Sequence, residues 1–206
     1  MVDYFSLMDE PRRPWLDPEP LKARFLQRSS EVHPDRFHTA PKEEKDAASI
    51  HYTELNAAHN CLSDLKNRLR HLIELELGGL PEVVRQVPGE TMDLFMKVGE
   101  LTRDTDKFLE EKDQTQSPLL KAQLFETGMQ WTDRLQTLQA EINAELSALT
   151  DAIKLLNPTW ESAPEIGHPD RRAALPLQRL EEIYRAISHL TRWTQQLQER
   201  IVRISF

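Results

Sequence analysis

The stretch EVHPDRFHTA at residues 31–40 decides how the first part of the chain folds. Before it, apolar residues recur at helical spacing after Asp17-Pro18, a capping residue followed by a proline in the first turn. A proline disfavours helical dihedrals at the preceding residue and clashes within a helix, so this helix cannot run past Pro34. His33 and Pro34 therefore begin a loop.

A second helical pattern follows the loop. It starts near Lys42 and runs to Gly78-Gly79, a good helix stop, with a broad apolar stripe along its length. Two antiparallel helices joined by the loop would pack along these stripes, and the short segment DYFSLM at residues 3–8 can close one side. The sequence thus predicts a helical hairpin that presents residues 33–41 at its tip.

Composition favours helices and restricts the classes of partner. The chain has 206 residues with only 6 glycines, and 39% of its residues are hydrophobic and 29% charged, which favours helices over sheets. The net charge of -8 argues against a general binder of nucleic acid or of an anionic membrane, because both partners reward a basic surface. We expect neither partner.

Cysteine content and the first residues limit the chemistry further. Cys61 is the only cysteine, which excludes an intramolecular disulfide and an iron-sulfur cluster or zinc site built from this chain's own cysteines. The opening MVDYFSLMDE has no basic region and no apolar run of signal-peptide length, and nothing later approaches the roughly 20 apolar residues of a membrane span. We expect a cytoplasmic protein with no cofactor and no bound metal.

Three more helices are predicted after a linker that carries two prolines and three glycines at residues 78–90. Their approximate limits are Glu90 to Lys112, Ser117-Pro118 to Asn157-Pro158, and, after a proline-rich connector, a last helix that includes Leu180 to Ile201. The apolar residues of the last helix alternate intervals of 3 and 4. Such a seam indicates an antiparallel three-helix bundle or coiled coil, and it could equally serve self-association.

The tripeptide His33-Pro34-Asp35 returns at residues 168–170, so context must separate the two copies. Around the first copy the order of segments is D-Y-F-S-L at 3–7, W-L-D-P at 15–18, L-K-A-R-F at 21–25, H-P-D-R-F at 33–37 and N-A-A-H-N-C-L-S-D at 56–64. This order and spacing resemble a J-domain, and most closely the J-domain of the HscB type of iron-sulfur co-chaperone. The second copy has no counterpart in that pattern and is predicted to be a turn, with Asp170 capping the helix that begins near Arg171.

The resemblance implies a co-chaperone rather than an enzyme. Such a protein docks on a DnaK-type (HscA-like) chaperone, stimulates its ATPase and delivers a client. The expected chaperone contacts are the loop His33, Pro34 and Asp35 and the basic residues of the preceding helix, Lys22, Arg24 and Arg28. A local basic segment on an acidic chain suits electrostatic steering toward an acidic surface.

The resemblance also places a client site on the bundle. HscB-type proteins present an apolar patch on the first bundle helix, with help from the last helix, to the scaffold protein (IscU-like) on which iron-sulfur clusters are built. Here Phe95 and Met96 fall in that patch, whereas a leucine position falls on Gly99. The aromatic position of the last helix falls on Ala186, so Tyr184, two residues away, is the candidate there.

Other interpretations of these residues are weaker. His33 and Asp35 could form a general-base pair, or a metal site with His38, but no nucleophile, oxyanion donor or fourth ligand accompanies them. On the second helical pattern, His51 and His59 are eight residues apart, and a packed His59 is favoured over a metal ligand.

We therefore predict an all-α protein in two parts. The predicted domains are a J-domain at 1–78 and a client-binding three-helix bundle at 90–206, joined by a linker at 79–89. The alternatives are a J-domain co-chaperone for a different client, and a helical interaction module whose J-domain is inactive.

Overall fold

The structure, a computed structural model, describes residues 2–79 and 89–205, and in these residues all regular secondary structure is helical, as predicted. The α-helices are α1 (Tyr4–Leu7), α2 (Pro18–Glu31), α3 (Lys42–Ser63), α4 (Leu65–Leu77), α5 (Met92–Gln114), α6 (Pro118–Glu161), α7 (Arg171–Ala174) and α8 (Leu177–Ser205). Short 3₁₀ helices lie at Pro34–Phe37 and Gly89–Thr91. Nearly all of the predicted linker at 79–89 lies outside the described residues.

The chain forms two compact units. One consists of Met1–Glu82 and Ala152–Glu181, and the other of Val83–Asp151 and Glu182–Phe206. Residues 152–181, which the sequence assigned to the bundle, thus pack with the first unit. The functional division into J-domain, linker and client-binding bundle stays a prediction.

The helical hairpin forms from α2 and α3. Asp17 caps α2 by accepting a hydrogen bond from the Glu19 backbone N–H at 3.2 Å, with Pro18 in the first turn. The Phe25 ring of α2 stacks on the His59 ring of α3 with centroids 4.2 Å apart. His59 is therefore a packing residue, and burial lowers its pKa, with a smaller contribution from the charge of Lys22.

The second helical pattern is two helices rather than one, because the chain breaks at Asp64. This residue is extended, and its carboxylate accepts a hydrogen bond from the Asn67 backbone N–H at 2.8 Å, so it caps α4. Apolar spacing continues across the break, which is why periodicity alone did not reveal it. At the other end α4 stops at Gly78 with φ of 76°, the left-handed conformation that glycine adopts without strain.

Helix α1 closes the core of this unit. Asp3 accepts hydrogen bonds from the backbone N–H groups of Phe5 and Ser6, at 3.0 and 3.3 Å, which holds the short helix at its start. The side chains of Phe5 and Met8 are fully buried. Complete burial of such a side chain contributes about 1.5–3 kcal/mol, which offsets the ordering of this four-residue helix.

In the second unit, α5 runs antiparallel to α6. Lys97, early in α5, forms an ion pair with Glu141 at 2.6 Å, whereas Phe108, later in α5, contacts Trp131, which lies earlier in α6. Helix α8 completes the bundle with fully or almost fully buried residues on the predicted seam, at successive intervals of 4, 3 and 7: Ile183, Ile187, Leu190 and Leu197.

Helix α6 extends beyond its predicted end at Asn157-Pro158 and continues to Glu161. Pro158 removes one backbone donor, but only near the last turn, where that loss costs little. Its carbonyl oxygen accepts hydrogen bonds from the Ser162 backbone N–H at 3.0 Å and from the Ser162 hydroxyl at 2.9 Å. Trp160 is only 4% exposed, so its burial in the added turn supports the extension.

Candidate functional site

The first tripeptide forms a rigid turn at the tip of the hairpin. His33 precedes the 3₁₀ helix Pro34–Phe37, and its Nδ1 accepts a hydrogen bond from the Asp35 backbone N–H at 3.3 Å. The His33 ring also meets the Tyr52 ring of α3 edge to face, with centroids 5.2 Å apart. The histidine therefore fixes the backbone of the aspartate that follows it.

The carboxylate of Asp35 faces solvent, with 92% of the side chain exposed. Its backbone oxygen accepts a hydrogen bond from His38 Nδ1 at 2.8 Å, which holds the loop from the other side. One carboxylate oxygen lies 3.6 Å from His33 Nδ1. Because the backbone is held and the carboxylate stays exposed, Asp35 can pair with a cation on a partner at little entropic cost.

Arg36 is a further cation that sequence reasoning did not single out. It is exposed, directly follows the tripeptide, and donates from Nη1 to the Ser30 carbonyl oxygen at 3.2 Å. This contact ties the loop to the last turn of α2, where a positive charge is favourable. Its position next to Asp35 in the sequence could have identified it as a candidate contact.

The three predicted basic residues of α2 differ in availability. Lys22 is exposed, but it lies two residues before Arg24, so the two side chains point to different sides of the helix. Arg24 is engaged within the chain: its Nη1 donates to the Asp9 carbonyl oxygen, and its Nε lies 3.4 Å from a Glu10 carboxylate oxygen. Arg28 is half-buried on the Arg24 side. These residues do not form one continuous basic face.

The second tripeptide adopts the same local turn. His168 Nδ1 accepts from the Asp170 backbone N–H at 3.2 Å, and 81% of the Asp170 side chain is exposed. Asp170 precedes α7 as predicted, but its side chain makes no capping hydrogen bond, because the residue is in the helical rather than the extended region.

The residue after each tripeptide separates the two copies. Arg171 is 8% exposed and forms two hydrogen bonds with the Glu76 carboxylate, at 2.8 and 2.9 Å. A third bond joins its Nη1 to the Pro164 carbonyl oxygen at 2.7 Å. The second copy thus leads into a buried anchor, whereas Arg36 stays at the surface.

The predicted client residues of α5 lie at the surface rather than in the core. Phe95 is 41% exposed and Met96 is 63% exposed, and Met92, one turn earlier, is 43% exposed. Their spacing places all three on adjoining positions of one helix face. Gly99 lies one turn further on, and a Cβ there would meet nothing within 4 Å, so the leucine position of the family is an open gap.

On α8 the aromatic residue that contacts Phe95 is Trp193, which sequence reasoning missed. Their ring centroids are 6.0 Å apart, and Trp193 is almost completely buried. Tyr184 is half-buried and precedes Trp193 by nine residues, or about 13 Å along a helix axis. Ala186, at the family's aromatic position, is buried. A client-binding role for Tyr184 stays a prediction, and its distance along α8 from Trp193 separates it from the contact with Phe95.

Other site chemistry is limited in the part of the chain that the structure describes. No three His, Cys, Asp or Glu side chains there are grouped in a way that could hold a metal ion. None of the described helices is long and apolar enough to cross a membrane. Burial raises the pKa of the Cys61 thiol to about 11, which makes it a poor nucleophile at neutral pH.

Two solved structures of HscB proteins share this arrangement of helices. The human co-chaperone protein HscB aligns with a TM-score of 0.60 and 21% identity over 96% of this chain and 81% of its own. HscB of Vibrio cholerae aligns with a TM-score of 0.55 and 18% identity over 96% of both chains. The chain has the HscB fold.

Curated sequences also carry the name HscB, which confirms the resemblance. A Chromobacterium violaceum HscB homologue is 34% identical over 73 residues, an Azoarcus HscB homologue is 38% identical over 73 residues, and the human iron-sulfur cluster co-chaperone protein HscB is 35% identical over 103 residues. These matches cover 35, 35 and 48% of this chain and 42, 41 and 44% of the relatives. The chain thus spans less than half the length of the curated HscB sequences that it matches. No family model matches it.

Proposed function

We propose that this chain is an HscB-type co-chaperone in iron-sulfur cluster assembly. It binds a DnaK-type (HscA-like) chaperone through the loop His33-Pro34-Asp35 and accelerates ATP hydrolysis by that chaperone. Its bundle presents an iron-sulfur scaffold protein (IscU-like) to the same chaperone. The chemistry of hydrolysis belongs to the partner.

The observation that carries the proposal is the hydrogen-bonded loop with an exposed carboxylate. Asp35 is 92% exposed, while His33 accepts its backbone N–H and packs on Tyr52. A carboxylate held in this way suits a bidentate contact with an arginine of the chaperone. Arg36 is exposed and supplies positive charge next to Asp35, and Lys22 is exposed near the start of α2.

A single-turnover ATPase assay on the cognate chaperone tests this role. We expect wild type to stimulate hydrolysis, and His33→Gln and Asp35→Asn to lose most of the stimulation. His168→Gln and Asp170→Asn are matched controls, because the second copy has the same turn with similarly exposed side chains. Failure of wild type to stimulate, or equal loss in both sets of variants, would refute the proposed docking loop.

The client contact is proposed for the α5 patch, which consists of Met92, Phe95 and Met96. Flexible methionines around a large aromatic suit a binding surface, and all three are partly exposed. Calorimetric titration with the purified scaffold protein tests it. We expect Phe95→Ala and Met96→Ala each to weaken binding by about tenfold or more.

Met129→Ala is the matched control for the client test. Met129 is a methionine of similar exposure, 58%, on α6. Its replacement should leave scaffold affinity unchanged. Equal loss with Met129→Ala would move the client site away from the α5 patch.

A different client is the second candidate, and the open position at Gly99 favours it. The family's leucine would add apolar area to the α5 patch, whereas here a Cβ would meet nothing within 4 Å. If wild type stimulates the chaperone but does not bind the scaffold, the client differs and the J-domain assignment stands. An inactive J-domain is disfavoured because His33, Pro34 and Asp35 are all present.

A further inference from the structure

A second set of exposed apolar side chains lies at the beginning of α6, apart from the α5 patch. Leu119 is 73%, Leu120 50%, Phe125 71% and Met129 58% exposed. Four large apolar residues thus meet solvent within 11 residues of one helix. Clustering of this kind marks an interaction surface more often than scattered exposure does.

Phe125 and Met129 belong to a charged stripe at intervals of four, Lys121, Phe125, Met129 and Asp133. All four side chains are exposed, and residues four apart are neighbours on a helix surface. Lys121 and Asp133 have no ion-pair partner among the described residues. The stripe is therefore an open ridge with a positive end, an apolar middle and a negative end.

The stripe is complementary to a second copy of itself that runs in the opposite direction. If two copies of α6 meet antiparallel about a twofold axis between Phe125 and Met129, each Phe125 faces the Met129 of the other copy. The same axis places each Lys121 opposite the Asp133 of the other copy. Helices that cross at about 20°, as in bundles, stay side by side over several turns, so the central and the outer pairs can form together.

We propose that the stripe Lys121-Phe125-Met129-Asp133 is the contact surface for a second copy of this chain. A C2 dimer uses one self-complementary patch twice, and this stripe meets that requirement in both its apolar and its charged positions. If the partner were an unrelated protein, the two halves of the stripe would have no reason to be complementary to each other. Complementary halves are expected when the partner is a second copy. The inference does not rest on the proposed co-chaperone function.

A groove next to the stripe can receive the apolar side chains of the second copy. It has a volume of about 700 Å³, and beside the stripe its lining combines Phe108, Leu124, Gly128 and Ile204 with polar side chains that include Lys112, Asp113 and Arg203. Gly128 lies between Phe125 and Met129 in sequence and contributes no side chain that could fill the groove. Apolar side chains of a second copy would bury the apolar part of this lining.

The contact is small, so the dimer should be weak. We expect four side chains of each copy and the adjoining groove to bury less than the area of about 1,200 Å² that stable complexes exceed. We expect a dissociation constant between about 10 µM and about 500 µM.

Sedimentation equilibrium of the full chain over this concentration range tests the proposal. We expect a reversible monomer–dimer equilibrium in wild type. Met129→Asp should raise the dissociation constant by about tenfold or more, because it places a carboxylate in the apolar middle of the stripe. Met96→Asp, a methionine with 63% exposure on α5, should leave the constant unchanged.

Charge reversal tests the antiparallel register. The variant Lys121→Asp brings two negative charges together, because position 121 lies opposite the Asp133 of the other copy. The variant Asp133→Lys brings two positive charges together in the same way. Each single variant should therefore weaken the dimer. The double variant restores both attractive pairs and should return the dissociation constant to within about threefold of wild type. Circular dichroism establishes that each variant stays folded.

The proposal would be overturned by a chain that is monomeric at every concentration tested, by a dimer that Met129→Asp leaves intact, or by a double charge variant that is as weak as the single ones. A dimer lost on Met96→Asp would place the contact on the α5 patch instead and would equally overturn it.

Discussion

Arg68 illustrates how a single buried charge closes the first unit. It is 3% exposed, donates to the carbonyl oxygens of Pro14 and Leu62 at 3.0 and 2.7 Å, and lies over the Trp15 ring at 5.4 Å. Burial lowers the pKa of its guanidinium to about 10, while the nearby Asp64 opposes this shift. The side chain is therefore still charged at neutral pH, and it donates to both carbonyl oxygens.

Replacing this residue should be costly. We expect Arg68→Met to lower the free energy of unfolding by about 3 kcal/mol, because two charge-assisted hydrogen bonds are lost. Urea denaturation followed by circular dichroism measures it. Arg70→Met is the control, since Arg70 is half-exposed and its ion pair is with Glu74, one turn away on the same helix. Equal losses in the two variants would argue against a closing role for Arg68.

The side chain of His71 makes the stability of the first unit depend on pH. It is 5% exposed, its Nε2 accepts a hydrogen bond from the Tyr4 backbone N–H at 3.1 Å, and its ring stacks on Phe5. Burial lowers its pKa below the usual 6.5, and this outweighs the opposing charges of Asp3 and Glu74, while Arg12 lowers the pKa slightly further. The neutral ring is the form that the fold requires, since Nε2 must accept.

Stability should therefore fall on acidification. Below about pH 6.5 the unfolded chain binds a proton at this position while the folded chain does not, so acidification stabilises the unfolded state. We expect His71→Gln to flatten the loss of unfolding free energy between about pH 7 and about pH 5. The control is His168→Gln, which changes an exposed histidine. An unchanged slope in His71→Gln would refute the coupling.

Helix limits followed local chemistry where a cap or a breaker was present. Asp17 and Pro18 started α2 as predicted, and Gly78 ended α4. Two limits were wrong: α3 and α4 separate at Asp64, and α6 passes Pro158. Aspartate is compatible with either a helix or a cap, and proline near a helix end is tolerated when neighbouring burial compensates. These outcomes depend on which helices pack there.

Two glycines within helices distinguish open from crowded positions. At Gly99 of α5 an added Cβ would meet nothing within 4 Å. At Gly128 of α6 it would lie 3.2 Å from Ile204 Cγ2 and 3.6 Å from Phe108 Cζ. Gly128 therefore permits the close approach of neighbouring helices, and Gly99 serves no such purpose.

The two positions should respond differently to alanine. We expect Gly99→Ala to raise the free energy of unfolding by about 1 kcal/mol, the usual gain in helix propensity. Gly128→Ala should gain distinctly less or lose, because its methyl group crowds Ile204. Urea denaturation of both variants provides the comparison. An equal gain at Gly128 would mean that the helices separate there without cost.

At the scale of the whole molecule, residues 152–181 pack with the N-terminal helices. Asn157 bonds to both the backbone N–H and the carbonyl oxygen of Trp15, each at 2.9 Å, and Arg13 pairs with Glu161 at 2.9 Å. The side chains of Arg171 and Glu76 are 9 and 4% exposed, so their ion pair is the most buried of these contacts.

Breaking the buried pair should destabilise the first unit. We expect Arg171→Met to cost about 3–5 kcal/mol, because it leaves the Glu76 carboxylate buried without its partner. Adding Glu76→Leu should recover much of that loss, since the uncompensated charge is then removed. Thermal unfolding measures both, and Arg172→Met, at an exposed neighbour, is the control. A single variant as stable as wild type would contradict this role.

The sequence by itself determined the helical class, the hairpin, the exposed turn at His33-Pro34-Asp35 and the resemblance to HscB. These follow from caps, prolines, glycines and spacing, which act over a few residues. Only the tertiary structure decided that Phe95 and Met96 are exposed, that Trp193 rather than Tyr184 contacts Phe95, and that Arg24 is engaged with Asp9 and Glu10. It also placed Arg171 on Glu76, although the second tripeptide has the same local turn as the first. Burial and pairing depend on which distant segments meet, and local sequence patterns do not encode that choice.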